Sequence, residues 1–134
     1  GLVAFALGSK EPKELWRHKR SLPAIATPLL HDGLLYLVKS GGMLTVLDAE
    51  SGGELGFRRL EDAGGEYDAS PVAGDGKLYL ANQEGRLSVL TLGPEPELLA
   101  SCDLGEPVHA TPALADGALL VRTDAALYCF GAKD

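Results

Sequence analysis

Three side chains able to do chemistry lie close together in the first third of the chain. Thr27, His31 and Asp32 supply a hydroxyl, an imidazole and a carboxylate, the groups that nucleophilic catalysis combines. In two later copies of the same stretch, Gly74 and Ala115 replace the histidine, whereas the proline and the Asp-Gly pair persist. The stretch is therefore predicted to be a structural unit rather than a catalytic site.

The remaining reactive side chains show no spacing typical of a catalytic or metal site. The histidines at 18, 31 and 109 fall at three different positions of the repeat, which is not a metal-ligand pattern. Cys102 and Cys129 are separated and lie in apolar strand patterns, which predicts buried, unpaired thiols. No phosphate-binding glycine loop and no pair of catalytic carboxylates is present. We therefore predict no catalytic, cofactor-binding or metal-binding residue.

An internal repeat determines which elements position these side chains. The motif of a small residue, a hydroxyl residue and a proline recurs with its prolines at 28, 71 and 112, which are 43 and 41 residues apart. An Asp-Gly pair and an apolar run follow each copy. A spacing of about 42 residues across the whole chain indicates a repeat architecture.

The middle copy reads as four consecutive strands, predicted at 67–74, 77–82, 86–92 and 97–104. Asp75-Gly76 and Glu84-Gly85 supply hairpin turns between them. Four antiparallel strands in a unit of about 42 residues match the blade of a β-propeller. The chain is therefore predicted to be all-β.

The repeat predicts one domain, 1–134, that is a propeller fragment. Residues 24–60 and 67–104 form complete four-stranded blades, and residues 1–20 and 108–131 form partial ones. Closed propellers have about 4–8 blades, so we expect a piece of a larger propeller or a protomer that closes by association. Unpaired strand edges favour strand addition, and residues 13–19 are predicted to complete the blade 108–131 of another copy.

One ring position is a candidate ligand site at the mouth of the channel. His109 opens a strand expected beside the channel, and Asp68 and Ile25 are its equivalents in the other copies. The aromatic residues Tyr36 and Tyr79 also share a repeat position with each other, in the second strand. At this period we predict that they pack between blades.

Composition excludes two classes of partner. The 134 residues carry a formal net charge of -7, whereas nucleic-acid binding requires clustered lysine and arginine. The densest basic run, residues 17–20, is too short to change this. No apolar run approaches the roughly 20 residues of a membrane-spanning helix, so membrane insertion is not expected.

The repeats resemble those of the pyrroloquinoline-quinone-like (PQQ-like, quinoprotein) β-propellers over essentially the whole chain. The residues that carry the resemblance are the segment Asp48 to Gly52, the Ser/Thr-Pro first strands and Trp16. In that family an Ala-x-Asp-x-x-Thr-Gly segment followed by a tryptophan docks one blade onto the next. The resemblance thus implies docking roles for Trp16, Asp48 and Gly52, with Phe57 in place of the tryptophan in the following copy.

The degenerate repeats are similar to the non-catalytic members of that family. The resemblance implies a scaffold that presents loops or strand edges to protein partners in a periplasmic or extracellular location, and no evident cofactor. The alternative is a fragment of a PQQ-dependent dehydrogenase, whose PQQ and calcium would be bound by blades absent from this chain.

Overall fold

A computed structural model describes residues 1–8 and 10–131 of the chain. All regular elements among these residues are β-strands, arranged in four separate antiparallel sheets. Within the same residues there is no helix with the length and apolar character needed to cross a bilayer. The prediction of an all-β propeller fragment is confirmed.

The four sheets follow one another in chain order as blades 1 to 4. Blade 1 has two strands, blades 2 and 3 have four each, and blade 4 has three within the described residues. The strands are β1 (Leu2–Ala6), β2 (Lys13–His18), β3 (Leu29–His31), β4 (Leu34–Lys39), β5 (Met43–Asp48), β6 (Glu54–Arg59), β7 (Val72–Gly74), β8 (Lys77–Ala81), β9 (Arg86–Thr91), β10 (Leu98–Asp103), β11 (Ala113–Ala115), β12 (Ala118–Arg122) and β13 (Leu127–Gly131).

The Asp-Gly pairs form the tight turns that the sequence predicts. Asp75 has φ 50° and Gly76 has φ 68°, and the other two pairs have closely similar values. Positive φ at both central residues is the geometry of the hairpin turn that matches strand twist, and Asp-Gly is favoured there. Each pair joins the innermost strand of a blade to the next strand.

The innermost strands are shorter than predicted. The sequence predicts a strand over 67–74, but only Val72–Gly74 pairs with β8. Pro71 cannot donate a hydrogen bond to a strand ladder, and the amide of Ser70 donates to the hydroxyl of Thr111 in the next blade instead. The segment before the proline therefore binds a neighbouring blade rather than its own sheet.

The hydrophobic core lies between the blades. One buried cluster joins blades 2 and 3 through side chains that include Tyr36, Val46, Leu78 and Leu90, and a second joins blades 3 and 4. The hydroxyl of Tyr36 accepts the amide of Gly93, in blade 3, at 2.8 Å. The predicted packing of this aromatic position between blades is confirmed for Tyr36.

Both cysteines are exposed, so the prediction of buried thiols is wrong. Cys102 lies on β10, the outermost strand of blade 3, and Cys129 lies on β13. Apolar strand patterns predict burial where a sheet is covered on both faces. That cover is incomplete at the outer rim, where all six residues of β10 are exposed.

Candidate functional site

One end of the blades carries both candidate ligand residues, and we call it the mouth face. It is formed by the loops 60–71 and 104–112, which join successive blades, and by the turns 82–85 and 123–126. Backbone hydrogen bonds tie these segments together, from Gln83 to Glu66 and from Asp124 to Pro107. Residues far apart in sequence therefore meet at this face.

Asp68 and His109 come from different blades and contact each other directly. The Nδ1 atom of His109 lies 2.8 Å from Oδ2 of Asp68, and Nε2 of Gln83 donates to the same oxygen at 2.8 Å. On the far side of the imidazole, Nε2 lies 3.8 Å from Oδ1 of Asp124. Half of the His109 side chain is exposed, against 20% of the Asp68 side chain.

These contacts determine the chemistry available at the cluster. The hydrogen bonds from His109 and then Gln83 hold the pKa of the Asp68 carboxyl below its usual value, because they stabilise its charged form. Asp68 thus remains an anion that binds donors across the seam between blades 3 and 4. The arrangement can bind a polar or cationic ligand group, and that role stays a prediction.

We expect Asp68 to make the stability of the fold sensitive to acid. A carboxyl whose pKa is lower in the folded state stabilises the fold above its unfolded pKa of about 3.9, and this contribution is lost as the pH falls through the folded pKa. Between pH 6 and pH 3.5 the free energy of unfolding, measured in urea, should fall by less for Asp68→Asn than for the parent chain. The matched variant Asp116→Asn, which removes a turn carboxylate outside the cluster, should retain the parental loss. An equal loss in all three would contradict the role of Asp68.

The repeated Ser/Thr hydroxyls link successive blades. The amide of Thr27 donates to Oγ of Ser70 at 2.8 Å, and the amide of Ser70 donates to Oγ1 of Thr111 at 3.0 Å. The hydroxyls of Ser70 and Thr111 thus each accept a hydrogen bond from the backbone amide at the same repeat position one blade earlier. The hydroxyl of the Ser/Thr-Pro motif therefore has a structural role that the sequence did not reveal.

Trp16 lies against the turn 48–53 of the next blade. Its indole Nε1 donates to the carbonyl of Ala49 at 3.0 Å. A methyl group at Gly52, which has φ 74°, would lie 2.5 Å from the indole ring. Asp48 shapes the same turn, since its Oδ1 accepts the amides of Glu50 and Ser51 at 3.0 and 2.7 Å. The structure thus brings together three of the residues predicted to dock blades.

The prediction that Phe57 takes the place of Trp16 is wrong by one residue. Trp16 pairs with Ala4 in blade 1, and Gly56 pairs with Val46 at the corresponding position of blade 2. Successive strand residues point to opposite faces of a sheet, so Phe57 points away from blade 3 and is 53% exposed. Gly56 and Arg58 make the contact with blade 3 instead, and Arg58 donates to the carbonyl of Pro96 at 2.7 Å.

Asn82 joins several segments of the mouth face, although nothing in the sequence distinguishes it from other polar residues. The side chain is fully buried. Its Nδ2 donates to the carbonyl of Gly64, and its Oδ1 accepts the amides of Glu84 and Arg86 at 3.1 and 2.8 Å. A polar residue in the turn after an apolar strand is the only sequence signal, and many exposed residues share it.

Comparison with solved structures gives the same fold. The crystal structure of BamB from Moraxella catarrhalis covers 94% of this chain with a TM-score of 0.72 and 20% identity. The europium-containing methanol dehydrogenase covers 75% at a TM-score of 0.63 and 16% identity. The quinohemoprotein alcohol dehydrogenase ADHIIG from Pseudomonas putida HK5 covers 79% at 0.61 and 17% identity.

The chain spans only part of these structures. It corresponds to 39% of the BamB chain, 20% of the methanol dehydrogenase and 17% of the alcohol dehydrogenase. No curated protein matches the sequence significantly.

The family model described as outer membrane protein assembly factor BamB matches residues 3–95, which is more than half of the chain. Its repeats are those of a PQQ-like propeller, in agreement with the blades and with the docking turn at 48–53. The chain therefore belongs to the PQQ-like β-propeller family of the outer membrane protein assembly factor BamB.

Proposed function

We propose that this chain is part of a non-catalytic propeller scaffold that binds protein partners during the assembly of outer membrane proteins. The observation that carries the proposal is the family match over residues 3–95, whose description names an assembly factor. The fold agreement with BamB over 94% of the chain supports it. A periplasmic or extracellular location is part of this proposal, and the family match supports it.

The chemistry of the described residues suits a scaffold better than a redox centre. Among residues 1–8 and 10–131, no group of three or more His, Cys, Asp or Glu side chains is arranged to hold a metal ion. Cys102 and Cys129 lie on strands of different blades. These residues do not fit a quinone-and-calcium site. Several carboxylates of the mouth face are bound internally, Glu66 by Ser40 and Glu106 by Thr123.

The alternative is a fragment of a PQQ-dependent dehydrogenase. The fold agreement with two dehydrogenases favours it. In that case the residues that bind PQQ and calcium belong to blades other than the four described.

Titration with PQQ and calcium separates the two functions. The full-length protein that contains this chain is titrated with PQQ in the presence of calcium, and binding is followed by quinone absorbance and by dye-linked oxidation of alcohols and sugars. We expect no saturable binding and no dye reduction. Saturable binding together with substrate oxidation would contradict the scaffold proposal and establish the dehydrogenase. An authentic quinoprotein dehydrogenase serves as the positive control.

A further inference from the structure

The outer strand of blade 2 has a free hydrogen-bonding edge. β6 pairs with β5 on one side, and no other strand pairs with it among the described residues. The amide of Leu60 donates inward to Gly42. Since peptide groups alternate in direction along an antiparallel strand, those of Phe57 and Arg59 point outward. Two residues of β6 therefore offer unpaired backbone donors and acceptors to solvent.

The same two residues present exposed side chains on one face of the strand. Phe57 is 53% exposed, and Arg59 is exposed with no hydrogen bond or ion pair within the part of the chain that the structure describes. A bulge at the start of β6 sets this register, because the pairing with β5 shifts between Val46 and Leu47. From Gly56 to Arg59 the strand is regular and can receive another strand.

The other outer strands lack this combination of an aromatic ring and an unpaired cation. Arg17, the equivalent of Phe57 on β2, is bound by Glu14 at 2.8 Å. On β10 the equivalent positions carry Ser101 and Asp103, as the pairing with β9 shows. Bulges and charged side chains are the usual protection of edge strands. Of the three outer strands β2, β6 and β10, β6 is therefore the one whose edge is least protected against pairing with another strand.

A cleft of about 360 Å³ runs along β6 toward blade 3. It is lined by Leu44 of β5, by residues 56–59 of β6 and by Glu95, Pro96 and Glu97 of the loop before β10. Gly56 contributes no side chain, and Arg58 is held across the cleft by its bond to Pro96. A strand added to β6 would send alternate side chains into this cleft and over Phe57.

We propose that β6 binds an extended segment of a protein partner as a fifth strand of blade 2, with an apolar residue opposite Phe57 and a carboxylate opposite Arg59. This inference rests on the proposed scaffold function and names the surface and the chemistry of the partner. Backbone hydrogen bonds supply affinity in strand addition, and side chains at alternate positions supply specificity. A second copy of the chain fits less well, because antiparallel pairing of β6 with β6 centred on Arg58 places the two Arg58 side chains opposite each other and supplies no carboxylate to Arg59.

Model peptides of defined sequence test the proposal directly. The probe is a capped eight-residue peptide that alternates valine with threonine and carries one central glutamate. A second probe has lysine in place of glutamate, and a third has a central proline that prevents strand pairing. Amide hydrogen exchange by NMR on the full chain should show slower exchange at Phe57 and Arg59 with the glutamate probe, and no change with the proline probe.

Charge reversal makes the test specific. The parent chain should bind the glutamate probe more tightly than the lysine probe, and Arg59→Glu should reverse this preference. We expect each favourable charge pair to raise the affinity by about two- to fivefold. Lys19→Glu, the same change at the equivalent position immediately after β2, should leave the preference unchanged. Phe57→Ser should reduce the affinity for the glutamate probe and for the lysine probe by the same factor.

Three results would overturn the proposal. The first is that the amides of Phe57 and Arg59 exchange at the same rate with all three probes. The second is that a probe slows amide exchange in β10 and not in β6. The third is that exchange in β6 slows with rising protein concentration and does not respond to any probe. The last would identify a second copy as the occupant. None of these results would contradict the proposed scaffold function, because that function is tested separately by quinone absorbance and dye reduction.

Discussion

Gly56→Ala is expected to be strongly destabilising, although it adds a single methyl group. A Cβ atom at this position would lie 1.9 Å from the carbonyl oxygen of Pro94, in the loop of the next blade. The obstacle is backbone, so it cannot rotate away as a side chain could. Overpacking of this kind costs about 1–3 kcal/mol and more where backbone must move. We expect urea unfolding of Gly56→Ala to show a loss at the upper end of that range or beyond it.

Gly64→Ala is the matched control, because it makes the same substitution where no heavy atom lies within 4 Å of the added carbon. It should leave the free energy of unfolding unchanged or raise it by up to about 1 kcal/mol, since alanine restricts the unfolded chain. If both variants unfold at the parental urea concentration, blade 3 is not held against Gly56 and the assigned register of β6 is wrong.

The two docking contacts explain why the family motif degenerates without loss of the fold. At the first seam a large residue, Trp16, packs on a small one, Gly52. At the second seam the small residue is Gly56 on the outer strand, and the loop backbone at Pro94 closes on it. The large and the small partner thus exchange places between the two seams, and the blades remain in contact at both. A variable tryptophan therefore does not by itself indicate a missing contact.

The repeat predicted most of the fold because its signals are local. Each Asp-Gly pair specifies a turn through its own backbone preference, and a spacing of about 42 residues indicated the four-stranded blade. The prediction failed where a single residue of offset decides the face of a strand. Phe57 is predicted to take the place of Trp16 after the segment Asp48 to Gly52, but a shift by one residue moves a side chain to the opposite face.

The contacts of the candidate site join residues too far apart in sequence for such reasoning. Thr27 and Ser70 are 43 residues apart, and Asp68 and His109 are 41 apart. The sequence placed Asp68 and His109 at one repeat position, which made them neighbours around the ring, but it could not show that they touch. Only the distance between adjacent blades decides that, and packing of the whole seam sets that distance. The predicted exchange of residues 13–19 between copies stays a prediction, since the structure contains one chain in which β2 pairs with β1.

Asn82→Ala is expected to loosen the mouth face of blade 3. The substitution leaves the carbonyl of Gly64 without the Nδ2 donor, and it leaves the amides of Glu84 and Arg86 without the Oδ1 acceptor. A buried polar group left without a partner costs about 1–3 kcal/mol. Since water reaches some of these groups after the change, we expect a loss of about 2–4 kcal/mol in the free energy of unfolding. Lys39→Ala is the control at the equivalent, exposed position of blade 2, and should change the stability by less than about 0.5 kcal/mol.

Asn82→Asp distinguishes the loss of hydrogen bonds from the loss of volume. The aspartate retains the size of the side chain and still accepts the amides of Glu84 and Arg86, but its carboxylate faces the carbonyl of Gly64 without a proton to donate. A protonated carboxyl restores that donor, so the aspartate variant should gain stability relative to the parent chain as the pH falls toward 4. Urea unfolding of both chains at pH 7 and pH 4 measures this difference. If the difference in free energy of unfolding between the aspartate variant and the parent chain is the same at both pH values, the hydrogen bond to Gly64 does not hold the loop 60–71 to blade 3.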